Sequence, residues 1–138
     1  MQFAPNRRSV LQFAAACSLL PLSPAIASLT PRSFNIFFDF ESAELTASAA
    51  ELIDALAREI LPSARVTLAG NADTAETKPD RISYARGNEV LKQFLRKQSL
   101  AKVRFNVLAN GVASPLVKTG PNIKEPQNRR VEVLIEYR

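Results

Sequence analysis

Apolar and polar positions alternate in four short stretches of the chain and recur at three- and four-residue spacing in two longer ones. Phe34, Ile36, Phe38 and Phe40 fall on alternate positions, the period-two pattern of a strand with one buried face. Val66 and Leu68 do the same within Arg65–Ala69, as do Val103, Phe105 and Val107, and Val131, Val133, Ile135 and Tyr137. Between the first two strands, Ala49, Leu52, Ile53, Leu56, Ala57 and Ile60 form one stripe at helical spacing. Thr46 suits the N-cap of that helix, Pro62 its stop, and Asp54 with Arg58 an outward ion pair one turn apart. A second helix is expected from about Asp80 to about Lys97, burying Ile82, Gly87, Val90, Leu91 and Phe94. Thr77 with Asp80 three positions later suits a capped start, and Pro79 is tolerated in a first turn, where its missing amide is not needed. A glycine inside a helix costs about 1 kcal/mol against alanine, so Gly87 is expected to mark a close approach of helix to sheet.

The order strand, helix, strand, helix, strand, strand predicts an α+β sandwich with both helices on one face of the sheet. Two segments fall outside that pattern. Asn71–Lys78 is a polar loop, and Asn110–Gln127, with Pro115, Gly120, Pro121 and Pro126, is a long connection with room for one helical turn. The chain of 138 residues, 46% apolar, suits one domain with a single core.

Residues 1–27 read as an export signal: Arg7-Arg8 give the positive start, Val10–Leu22 the mostly apolar stretch, and Ala25-Ile26-Ala27 a small-x-small cleavage site. Asn6–Leu11 also fits a twin-arginine signal, and both routes deliver the domain outside the cytoplasm. A lead-in, 28–33, then separates the signal from the domain, 34–138. Cys17, the single cysteine, lies inside the signal, so the processed chain carries no disulfide and no thiol. A second reading makes Cys17 the acylated residue of a lipoprotein, after Ala15-Ala16. Against it, Ala14 stands where leucine is usual, and the apolar run continues through Leu19-Leu20.

Charge and composition narrow the chemistry. The formal charge of +5, less Arg7 and Arg8, leaves +3 on the processed domain, a mild bias toward polyanions. With no histidine in the chain and no thiol after processing, Ser-His-Asp and Cys-His centres and His-based zinc sites are excluded. Asp39 with Glu41 or Glu44 could serve as paired acids of a muramidase, but acids beside a strand-to-helix turn are ordinarily solvated turn residues. No enzyme, metal or cofactor is expected. Lys92, Arg96, Lys97, Lys102 and Arg104 could form a nucleic-acid face; the export signal argues against it, and no nucleic-acid partner is expected.

Three segments in order carry a resemblance: Gly70-Asn71-Ala72-Asp73, Ile82-Ser83-Tyr84-Ala85-Arg86 and Asn128-Arg129-Arg130-Val131-Glu132. With Phe37–Thr46 as an opening strand and turn, they make the chain similar to the OmpA-like peptidoglycan-binding domain. The resemblance implies a β-α-β-α-β-β sandwich with a four-stranded mixed sheet. It also implies non-covalent binding of peptidoglycan in the periplasm, linking the wall to the outer membrane or to an envelope complex. In the resembled family, the residues matching Asp73 and Arg86 grip the diaminopimelate of the stem peptide. That charge pattern suits a zwitterion, since a carboxylate anchors an ammonium and a guanidinium clamps a carboxylate through two parallel hydrogen bonds. Asn71, Ala72 and Thr74 are expected to line the same loop, Arg129 to sit near the cleft, and Arg130 to have a structural role. Without the resemblance, Asp73 is a loop aspartate serving local amides and Arg86 an exposed helix arginine. The chain departs from the family pattern at Ala72, Pro79, Gly87 and the segment Ala109–Pro115. Those departures support an alternative: the same fold acting as a protein-interaction module of an envelope complex, with weak or lost wall binding.

Overall fold

A computed structural model describes residues 30–138; the expected signal and Cys17 lie outside the described residues. Strand β1 (Arg32–Phe37), helix α1 (Ala47–Glu59), β2 (Ala64–Gly70), helix α2 (Pro79–Leu95), β3 (Arg104–Ala109) and β4 (Arg130–Tyr137) follow in chain order, with short 3-10 turns at Gln98–Leu100 and Pro126–Asn128. The sheet order is β1-β4-β2-β3. β4 pairs antiparallel with both β1 and β2, and β2 pairs parallel with β3. This is the expected α+β sandwich on a mixed four-stranded sheet.

The last strand is therefore a central one. Val131, Val133 and Ile135 of β4, Val66 and Leu68 of β2 and Ile36 of β1 turn one sheet face into the core, where Ile53, Leu56, Ala57, Val90, Phe94 and Leu100 cover it. The stripe on α1 forms as its spacing requires, and Thr46 caps it by accepting from the amide of Ala49 at 3.2 Å. Leu52 differs from expectation. It is 38% exposed, at the edge of the stripe beside Ile36 and Phe37. The expected Asp54–Arg58 pair is replaced by a tie between the helices, since Asp54 Oδ1 accepts from Gln93 Nε2 of α2 at 3.1 Å.

Two close approaches fix α2 against the sheet, one at β3 and one at the end of β2. A Cβ at Gly87 would lie 2.7 Å from Val107 Cγ1, and one at Gly70 would lie 1.8 Å from the carbonyl oxygen of Ser83. The mid-helix glycine thus marks the helix-to-sheet contact that its sequence context suggested. Gly70, at the end of β2, brings the following loop against the first turns of α2. That loop also corrects the cap. Lys78, not Thr77, is the N-cap of α2 and makes no side-chain hydrogen bond, while the amide of Thr77 donates to Glu41 Oε1. β1 likewise stops at Phe37 rather than Phe40: the amide of Phe38 donates to the carbonyl of Arg129 at 2.8 Å, and the chain then turns through Glu41 at φ 52°. Among the described residues, no helix is long and apolar enough to cross a membrane.

Candidate functional site

Three chain segments meet at the end of the sheet where β1 and β2 finish and β4 begins: the turn 39–42, the loop 71–78 and Asn128–Arg130. Arg86 binds two of them. Its position on α2, just past the Gly70 contact, directs the side chain inward, and it is 0% exposed. Nε donates to the carbonyl of Ser42 at 2.9 Å and Nη2 to that of Asp39 at 3.0 Å, while Nη1 donates to the carbonyl of Asn71 at 3.0 Å. The remaining two N–H groups grip the Glu76 carboxylate, Nη1 to Oε2 at 2.8 Å and Nη2 to Oε1. Every N–H of the guanidinium is used, and the pair is buried on both sides. The Phe38 ring, 5.5 Å from the guanidinium carbon, completes the seat.

Asp73, also 0% exposed, pairs with a different cation. Its Oδ2 accepts from Arg129 Nη1 at 2.9 Å and from the amide of Glu125 at 3.1 Å, and its Oδ1 accepts from the amides of Ala75 and Glu76 at 3.0 and 3.1 Å. Glu76 Oε2 in turn accepts from the amide of Asp73 at 3.1 Å. The four residues Asp73-Thr74-Ala75-Glu76 thus form a reciprocal capping box on a single turn that does not continue as a helix. Asp73 and Arg86 do share one site, but each is held by its own opposite charge, and Glu76 is the bridge between them. The exposed-arginine reading of Arg86 is excluded by its burial.

Glu76 was not among the sequence candidates. The Asp-x-x-Glu spacing was the available signal, although the nearer Thr77–Asp80 pair offered the same pattern in front of a helix. Glu76 also holds the opposite wall, with Oε1 accepting from the amide of Glu41 at 3.0 Å. The 39–42 turn, with Glu41 in a left-handed conformation that a glutamate rarely adopts, is therefore fixed by Arg86 and Glu76 together.

The neighbouring candidates build the frame. Asn71 is buried: its Nδ2 donates to the carbonyl of Ala69 at 2.9 Å, and its Oδ1 accepts from Asn110 Nδ2 at 3.2 Å. The amide of Ala72 donates to the carbonyl of Gly111 at 2.8 Å. Thr74 Oγ1 donates to the carbonyl of Gly120 at 2.7 Å and accepts from the amide of Ile123 at 3.0 Å, tying the long connection to the site. The 3-10 turn closes the same connection, since Asn128 exchanges hydrogen bonds with both backbone groups of Val117. Arg130 is buried, with Nη2 donating to the carbonyl of Ser114 at 3.2 Å and Nε and Nη1 without a partner. Burial pushes its pKa below the ordinary arginine value, and the Glu132 carboxylate partly opposes this.

Among the paired charges Arg86, Glu76, Asp73 and Arg129, Arg129 alone reaches the surface. Its side chain is 11% exposed, and Nε donates to the carbonyl of Phe38 at 3.1 Å. It lines a groove of about 440 Å³ with Phe37, Phe38, Asp39, Thr46 and Gln127. The Phe40 ring lies beside it, 5.9 Å from its guanidinium carbon and 4.3 Å from Lys124 Nζ. A second cleft of about 450 Å³ opens on the other side of the 39–42 turn, lined by Glu41, Thr77, Lys78 and Arg81. The site therefore offers a groove lined by Phe37, Phe38, Asp39 and Arg129 over a closed shell of buried charge.

Comparison with known proteins follows the same segments. The model of the OmpA family matches residues 37–129, which include the 39–42 turn, the 71–78 loop, Arg86 and Arg129. An outer membrane protein of Gluconacetobacter diazotrophicus is 31% identical over 114 residues, covering 75% of this chain; the chain spans only 30% of that relative's length. Two solved structures share the fold. The peptidoglycan-associated lipoprotein of Burkholderia pseudomallei has a TM-score of 0.64 at 17% identity, covering 74% of this chain and 89% of its own. The cell wall anchor of the T6SS of Pseudomonas aeruginosa has a TM-score of 0.61 at 19% identity, covering 78% and 82%. The family match, which runs through the segments that build the site, leads to one conclusion: this chain belongs to the OmpA family.

Proposed function

We propose that the domain binds peptidoglycan non-covalently in the periplasm, through the diaminopimelate of the stem peptide, and so links the wall to the outer membrane or to an envelope complex. The carrying observation is the seat of Arg86. Its guanidinium lies beneath the 39–42 turn and already holds a carboxylate by two parallel hydrogen bonds, supplied by the chain's own Glu76. A ligand carboxylate fits the same fork by displacing that of Glu76. Asp73 then presents negative charge to the ligand ammonium, and Arg129 supplies the first cationic contact from the groove. The peptidoglycan-associated lipoprotein and the cell wall anchor that share the fold support wall association as the setting.

The same closure favours a second reading. With every N–H of Arg86 satisfied internally, ligand binding must offset the loss of a buried ion pair; a domain that never opens would serve as a protein-interaction module instead. Cosedimentation with purified diaminopimelate-type sacculi separates the two. For wall binding, the wild type cosediments, Arg129→Ala reduces the bound fraction while keeping its fold, and Glu76→Gln, a weaker internal competitor of the same size, binds more tightly. Wild type left entirely in the supernatant selects the interaction module. Wild-type binding with a folded Glu76→Gln protein no tighter than wild type rejects the displacement step.

A further inference from the structure

The end of the sheet opposite the site carries a second concentration of charge. β2 begins there with Ala64 and Arg65, about 20 Å from Gly70 at a strand rise of ~3.3 Å per residue. Arg65 lies directly across the parallel β2–β3 pair from Arg104. Like charges placed opposite each other on neighbouring strands destabilise the sheet. Lys102, just before β3, and Arg138, just after β4, complete a concavity of about 290 Å³ lined by these four cations with Pro62, Ser63 and Ala64.

No internal partner neutralises the group. The ion pairs among the described residues are Arg32–Glu59, Arg86–Glu76, Lys92–Glu89 and Arg129–Asp73, and none involves a cation of the concavity. Glu136 lies opposite Arg65 on β4; it forms no ion pair and does not line the concavity. Arg58 near the end of α1 and Arg96 and Lys97 after α2 extend the same pole by topology, because both helices end where β2 and β3 begin. Asp39, Glu41, Glu44, Asp73, Glu76 and Glu125 lie toward the other pole, whereas Glu59, paired with Arg32, shares the end of α1 with Arg58.

We propose that the Arg65–Lys102–Arg104–Arg138 concavity is a phosphate-binding site, and that its occupant is the phosphate-bearing headgroup layer of an anionic membrane. Guanidinium groups that line one concavity without ion pairs can take phosphate oxygens bidentately. The flanking cations within a Debye length add attraction to a charged plane, as they would not to a single small anion. The domain would then lie with one pole on lipid and the other, carrying Arg129, turned away from it.

Vesicle cosedimentation tests the assignment, using the full chain in every case so that Arg7, Arg8 and the apolar run contribute equally. Vesicles of phosphatidylcholine alone are compared with vesicles containing about one third phosphatidylglycerol. The expected result is binding that needs phosphatidylglycerol. It falls about ten-fold or more in Arg65→Ser/Arg104→Ser, but little in Lys92→Ser/Lys118→Ser, which removes the same charge elsewhere. Circular dichroism confirms that each variant is folded, and a second pocket variant, Lys102→Ser/Arg138→Ser, covers the case in which the strand arginines are needed for folding. Equal losses in pocket and control variants mean diffuse attraction and overturn the proposal, as does wild type that ignores the charged vesicles. Chemical-shift changes at Arg65 and Arg104 with millimolar inorganic phosphate, without vesicle binding, overturn the membrane occupant. Binding of single-stranded RNA lost in the same variants, again without vesicle binding, does so as well. Arg129→Ala leaves vesicle binding unchanged and Arg65→Ser/Arg104→Ser leaves sacculus binding unchanged, so the two poles fail or stand separately.

Discussion

Two buried arginines, Arg86 on α2 and Arg130 at the start of β4, illustrate how different a guanidinium can be inside one small protein. Arg86 has a carboxylate in its fork and three carbonyls around it. Arg130 has one carbonyl and two idle nitrogens. Removing one member of a buried pair strands the other charge and costs about 3–5 kcal/mol, whereas replacing a poorly satisfied buried cation by an apolar side chain is often neutral or stabilising. Urea unfolding is therefore expected to show Arg86→Met destabilised by about 3 kcal/mol or more and Arg130→Met within about 1 kcal/mol of wild type. Equal losses in both would mean that the internal bonds of Arg86 contribute nothing beyond bulk. The sequence pointed to Arg86 through its resemblance segment. It did not reveal Glu76, because a glutamate three residues after an aspartate in a polar loop becomes a partner only once the loop folds back over α2.

At the scale of elements, the contact between α2 and the sheet decides where the site lies. Gly87 removes a side chain where Val107 presses closest, and Gly70 lets the strand end meet the backbone of Ser83. Alanine normally stabilises a helix interior by about 1 kcal/mol over glycine, but here its methyl group would collide with Val107 Cγ1, and the β-branched side chain has little rotamer freedom to yield. Gly87→Ala alone is expected to destabilise by about 1 kcal/mol, and the same change in a Val107→Ala background to stabilise by a similar amount. A thermal or denaturant double-mutant cycle reads this sign reversal; an identical effect in both backgrounds would remove the contact as its cause. The periodicities placed both helices and all four strands within a few residues. The ends that moved are next to the 39–42 turn, where Glu41 takes φ 52° after β1 and its carboxylate accepts from the amide of Thr77 before α2.

For the whole molecule, the last strand is the keystone. β4 lies between β1 and β2, so the first and last strands must meet before the core is closed, a non-local pairing that carries the entropy of the intervening chain. Amides of β4 and β2, bonded on both sides and buried on one face, are expected to exchange only by global unfolding, while β1 and β3 at the sheet edges exchange through smaller openings. Native-state hydrogen exchange under mild denaturant gives the order directly, and β1 or β3 protected as fully as β4 would contradict it. The same topology separates the poles. Strand ends carrying acids and Arg129 lie at one end of the sheet, and Arg65, Arg104 and Arg138 at the other.

Local pattern alone determined the kinds of element, their order and the single layer of helices, because hydrophobic periodicity is a property of neighbours along the chain. The α+β class follows from that order, and the charged segments that mark the family are short, contiguous strings. Only the tertiary structure decided which charge meets which. Asp73 turned to Arg129 across 56 residues and Arg86 to Glu76 across 10, since pairing inside a core is settled by which side chains lose their water together. No spacing rule along the sequence carries that information.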